Sequence, residues 1–158
     1  DINVYAPPEP TAKELCQKGV KQLKSGLYID AALTLKKALD SDDSNRETYY
    51  YLAISLLKGK RAKLLTRAEV MEIDSCLARA IARDENDGVF YWFRAILRED
   101  YFAENGYTNY PPPTINEIIT RAMRSVISKS DFRILLSDLA LHKNRLYKAL
   151  SESLQGDS

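Results

Sequence analysis

Three alanines, Ala38, Ala80 and Ala122, stand 42 residues apart, and that interval constrains the fold more than any other feature of the chain. Each lies in similar text: LKKALDSDD at 35–43, LARAIARDEN at 77–86 and TRAMRSVISKSD at 120–131. A second ladder of small residues, Gly19, Ala53 and Ala95, precedes the first with spacings of 34 and then 42. Small side chains let helices approach closely. Their recurrence inside amphipathic patterns predicts stacked helix pairs, each burying an apolar face against the next.

Helix starts are written into the same text. Thr11 with Glu14, Ser44 with Glu47, Thr66 with Glu69 and Thr114 with Glu117 have capping-box spacing, in which hydroxyl and carboxylate each take one orphan amide. Gly26 closes the first helix and permits the turn into Tyr28. The pattern predicts seven helices, at 11–25, 28–41, 45–59, 67–83, 88–104, 115–128 and 131–153. No segment alternates with period two between turn signals, so no strand is expected. In the last segment Phe132, Leu135, Leu136, Leu139, Leu146 and Leu150 form one stripe with charged residues around it, as suits a terminal cap.

These residues resemble the tetratricopeptide repeat family. The first unit supplies Leu15, Gly19, Gly26, Tyr28, Ala31, Leu35 and Ala38; the second Tyr49, Leu52, Ala53, Leu56, Leu77 and Ala80; the third Tyr91, Ala95, Ile119 and Ala122. The resemblance implies an all-α, right-handed superhelical stack of antiparallel helix pairs with a C-terminal capping helix. Its domain plan is a proline-rich lead-in or linker at 1–10, three helix pairs over 11–129, a capping helix at 130–153 and a disordered tail at 154–158. Several positions depart from the family. Lys18 and Gln22 stand where an aliphatic and an aromatic residue are preferred, Arg94 and Arg98 replace that pair in the third unit, and Asp43 and Glu85 stand where a closing proline is usual. The distance from small residue to alanine is 19 in the first unit and 27 in the next two. Units two and three therefore each carry eight extra residues between their helices.

In such stacks the first helices of successive pairs line a concave face. Helical phase places Cys16, Val20, Leu23, Tyr50, Ile54, Leu57, Trp92 and Ile96 there, a row too apolar to leave in water without a reason. It reads as a groove for an apolar peptide or amphipathic helix of a protein partner. The other reading is that the N-terminal segment, the last helix or a second copy fills it, and a homodimer is one such arrangement. Cys16, Val20, Tyr50 and Ile54 do not supply the carboxylate clamp of the family's chaperone-tail binders, so that ligand is not expected.

The insertions define a second candidate surface. The first, with its flanks, carries Lys58, Lys60, Arg61, Lys63 and Arg67 with no acidic residue among them; the second carries Tyr107, Tyr110 and the run Pro111 to Pro113. Such an edge suits a nucleic-acid or phosphate-binding adaptor; solubilising charge and stiffening prolines are the simpler reading, and nucleic acid is the less favoured partner. A third reading is a regulatory domain autoinhibited by its own 1–10 segment.

A net charge of +1 gives no bulk attraction to polyanions. Cys16 and Cys76, without CxxC spacing, read as two buried or half-buried thiols of a reducing compartment, neither a disulfide framework nor a zinc site. No apolar run approaches the roughly 20 residues of a membrane span, and a cytoplasmic location is expected, with a signal or anchor upstream of Asp1 left open. The lone histidine, His142, reads as a hydrogen-bonded packing residue. KGKRAK lacks the glycine spacing of a phosphate loop, and DSDD lacks the glycine and distal glutamate of a calcium loop. No enzymatic activity, cofactor or metal is expected. The expected role is protein–protein interaction or scaffolding.

Overall fold

The computed structural model describes residues 7–156, and its regular structure is helical. Eight α-helices run in order: α1 (Ala12–Lys24), α2 (Tyr28–Ser41), α3 (Arg46–Leu57), α4 (Arg67–Arg83), α5 (Gly88–Arg98), α6 (Ile115–Arg124), α7 (Lys129–Asp138) and α8 (Arg145–Gly156). A short 3-10 turn covers Ala62–Leu64, and α5 runs on into a π-turn at Glu99–Ala103. Each helix from α1 to α5 packs on the next one in the chain, and α7 packs on α5 and α8. Among the described residues no strand forms; one isolated parallel bridge pairs Asp87 with Val126. The described part of the lead-in, residues 7–10, is exposed and has no regular structure; residues 1–6 lie outside the described ones. Of the tail at 154–158, residues 154–156 belong to α8 and 157–158 lie outside.

Both small-residue ladders are buried: Gly19, Ala53 and Ala95 in the first helix of each pair, Ala38, Ala80 and Ala122 in the second. Gly19 shows why the position must be small. A Cβ built there would lie 2.6 Å from Leu35 Cγ, and Leu35 is itself fully buried. The 42-residue interval also governs contacts. Tyr49 donates from its hydroxyl to the Asp43 carbonyl at 2.7 Å while Arg79 covers its ring at 5.6 Å. Tyr91 donates to the Glu85 carbonyl at 2.9 Å under Arg121 at 5.8 Å. Each of these residues is displaced by 42 from its counterpart.

Three capping boxes form as expected, at Thr11, Thr66 and Thr114. The fourth does not. Asn45 caps α3 by accepting from the Glu47 amide, whereas Ser44 turns back to donate to Asp42, because an asparagine one residue nearer the helix competes for the same orphan amides. After α1, Gly26 takes a left-handed conformation (φ 77°), and the Leu27 and Gly26 amides donate to Gln22 and Leu23, closing the helix in a Schellman turn.

Two expected helices end early. The segment at 115–128 stops at Arg124, since Val126 leaves the helix to exchange backbone bonds of 2.8 Å with Asn86 and Gly88. The single capping helix at 130–153 is a correction: it is two helices, α7 and α8, broken over 139–144. At the break Asn144 accepts the Tyr147 amide at 2.9 Å and so starts a new helix. The leucine stripe crosses the break without losing its period, which conceals the interruption in the sequence.

Candidate functional site

The eight residues assigned to the groove divide into two sets. Cys16, Leu57, Trp92 and Ile96 are buried; Val20, Leu23, Tyr50 and Ile54 keep partial exposure. What seals the first set at its α5 end is α7. Phe132 lies against Trp92 with ring centroids 6.0 Å apart, leaving the indole only 8% exposed. Tyr50 donates to the Asp138 carboxylate at 2.5 Å, and burial, followed by that bond, drives its phenol pKa upward. Leu135, Leu136 and Leu139 complete the seal, while Tyr147 of α8 holds α7 by donating to the Leu136 carbonyl at 2.7 Å. Between α3, α5 and the start of α7 a hollow of about 140 Å³ persists, bounded by Arg46, Tyr50, Tyr51, Val89 and Asp131.

The basic edge is largely paired within the molecule. Lys58 caps α3 in a left-handed conformation and meets Glu69 at 2.8 Å. That bond, with the Thr66 amide and hydroxyl, brings the Glu69 pKa down to about 2. Arg61 forks onto Asp100, with N–O distances of 2.6 and 3.3 Å, and Arg67 lies over the Phe102 ring at 5.4 Å. Lys60 is exposed, and Lys63 is half-buried with its amide donating to Asp100 at 2.9 Å. The two insertions touch: the 3-10 turn packs on the π-turn, and Asn105 donates to the Lys63 carbonyl at 3.1 Å.

Two buried carboxylates organise these loops, and sequence reasoning missed both roles. Asp74 in α4 receives forked bonds from Arg94 (2.8 and 3.0 Å) and from Arg98 (2.7 and 2.9 Å). Arg98 is 1% exposed and spends its remaining nitrogen on the Pro111 and Pro113 carbonyls at 2.7 and 3.0 Å. Arg98 is thus the clamp for the proline run, and Arg94 shares the carboxylate that holds it. A signal was present: Asp74 occupies a position within the buried stripe of Val70, Ile73 and Leu77. Burial alone would raise its pKa, but the two guanidiniums outweigh burial and lower it.

Asp100 is fully buried at the π-turn. Besides Arg61 and the Lys63 amide it accepts from Asn144 Nδ2 at 3.2 Å. Asn144 also donates to the Ile96 carbonyl at 3.3 Å, and His142 Nε2 accepts the Ala62 amide at 3.0 Å. His142 is therefore the hydrogen-bonded packing residue expected, here joining the 139–144 turn to the 58–66 loop. Both thiols are buried and free; Cys76 donates to the Tyr49 carbonyl at 3.4 Å, and burial raises its pKa to about 12. Among the described residues no group of three or more His, Cys, Asp or Glu could hold a metal ion, and no helix is long and apolar enough to cross a membrane.

Comparison with protein-family models and with curated proteins returns no match.

Proposed function

We propose that the chain is a tetratricopeptide-like stack of three helix pairs, non-catalytic, whose concave face docks an amphipathic helix of a protein partner. One observation carries the reading: an amphipathic helix, α7, already lies on this face, with an aromatic ring on Trp92 and a carboxylate on Tyr50. Support for the stack comes from the buried ladders and from tyrosine contacts repeated at 42 residues. Beyond α7 the row continues as Val20, Leu23 and Ile54, half-buried side chains on α1 and α3. An apolar face of this kind binds helices through anchors at i, i+3, i+4 and i+7.

The nucleic-acid reading loses support, because Lys58, Arg61 and Arg67 are engaged by Glu69, Asp100 and Phe102. Autoinhibition by the lead-in gains none: its described part is exposed, and the helix on the concave face is α7.

The test is a library of amphipathic helical peptides screened against the full chain and against Val20→Asp/Ile54→Asp. Charges at two half-buried anchors are expected to weaken the selected peptides at least about tenfold, the equivalent of 1.4 kcal/mol. Peptides that bind both proteins alike, or a library without a binder, would remove the proposal.

A further inference from the structure

The Ala62 amide lies in a buried part of the 58–66 loop, and its acceptor is the imidazole of His142, 80 positions further along the chain. A buried backbone N–H needs an acceptor, and a ring nitrogen accepts only while it carries no proton. Nε2 is therefore bare and the proton sits on Nδ1, toward the Leu139 carbonyl but outside good hydrogen-bond geometry; that carbonyl favours the charged ring, and burial outweighs it. A second proton, on Nε2, would oppose two N–H groups at 3.0 Å and place a charge on a residue 2% exposed.

The surroundings offer that charge little relief. Asp100 faces the ring from the π-turn and Arg61 from the loop, with opposite effects. Asp100 already accepts four bonds, two from Arg61, one from the Lys63 amide and one from Asn144, which fills the lone-pair sites of a carboxylate. It cannot take an imidazolium proton without releasing one of them. Glu99 and Glu104 lie further out, toward Arg145 and Arg61. Lys143 and Arg145, on the histidine's own segment, are exposed.

We propose that His142 is an acid-released fastening, which holds the 139–144 turn to the 58–66 loop and thereby keeps α7 seated over Trp92. Protonation unpairs the Ala62 amide, frees the turn with Asn144, and loosens α7 from the concave face. Burial lowers the His142 pKa from 6.5. The fastening is accordingly complete above pH 6.5 and is lost as pH falls from there through the lower folded value. That the uncovered face then docks a partner helix rests on the function proposed above; the unfastening does not.

The chain has one histidine and one tryptophan, so ring titration and indole emission each report a single site. The full chain is titrated from pH 8 to 5, following the His142 ring by NMR, Ala62 amide exchange corrected for intrinsic rate, Trp92 acrylamide quenching and helix content. The expected result is Ala62 exchange that rises about tenfold per pH unit once the ring begins to charge, with Trp92 becoming more quenchable while helix content holds. His142→Gln, whose amide oxygen accepts without titrating, should abolish both pH responses and so exclude Glu99, whose pKa burial raises. The proposal is overturned if the ring charges with Ala62 or Trp92 unmoved, if helix content is lost in the same step, or if His142→Gln responds as the wild type does. The ring titration needs no variant: a His142 that stays neutral until global unfolding also overturns it. None of these readouts requires a peptide, so failure here and failure of the docking reading are separate results.

Discussion

The α1–α2 pair and the α5–α6 pair carry the same small-residue ladder, yet they are held together by different physics. Three residues join α1 to α2, the Schellman turn satisfies its own backbone, and Gly19 meets Leu35 in an apolar contact. Eleven residues, 104–114, separate the π-turn from α6. A loop of that length carries backbone groups that it cannot satisfy alone. Buried charge does so instead: Arg98 takes two proline carbonyls while Asp74 holds Arg98, and Asp100 takes the Lys63 amide of the neighbouring insertion. The contrast teaches that lengthening the turn within a helix pair moves the stabilisation from close packing to ion pairs with hydrogen-bond duties.

The largest expected effect tests the charged side. Arg98→Met leaves two carbonyls unpaired and Asp74 with one arginine, which should cost about 3–5 kcal/mol by urea denaturation, the usual penalty for breaking a buried pair. Amide protection should fall first in 104–114. The apolar side is tested by Gly19→Ala, which forces Leu35 to move and should cost about 1–3 kcal/mol in the same assay. Equal losses, or a larger loss at Gly19, would erase the distinction between the two pairs.

Smaller effects sharpen it. Tyr50→Phe removes the bond to Asp138 and should cost about 1 kcal/mol, with Trp92 more quenchable because α7 is held less firmly. Lys58→Ala removes a surface pair worth about 0–1 kcal/mol, and its effect should depend on pH. The Glu69 pKa is lowered from 4.5 to about 2, so its contribution is present above pH 4.5 and fades as pH falls toward 2. Lys58→Ala should therefore differ from wild type most above pH 4.5 and converge with it in acid.

Sequence and structure agree where side-chain size and period decide the outcome. The ladders, six of the helix starts to within a residue and three capping boxes were legible because each depends on local text. The helix that covers Trp92 was not legible, since the leucines of α7 and α8 keep one period through a break that Asn144 creates by capping. Least legible were Asp74 and Asp100. A carboxylate in an amphipathic pattern reads as solvated until its partners are known, and those partners, Arg94, Arg98 and Arg61, lie 20, 24 and 39 residues away. Arg94 and Arg98 stood out as departures from the pattern the chain resembles, and both turn out to hold Asp74, with Arg98 also anchoring the proline run.

The central claim is that buried charge fastens the long connections to the helices, and hydrogen exchange at the Lys63 amide tests it most directly. Lys63 lies within a surface loop, yet its N–H is bonded to the fully buried carboxylate of Asp100 at 2.9 Å. The account predicts protection comparable to that of the α5 amides, lost selectively in Asp100→Asn. A Lys63 amide exchanging at the rate of an unstructured peptide in the wild-type chain would contradict it.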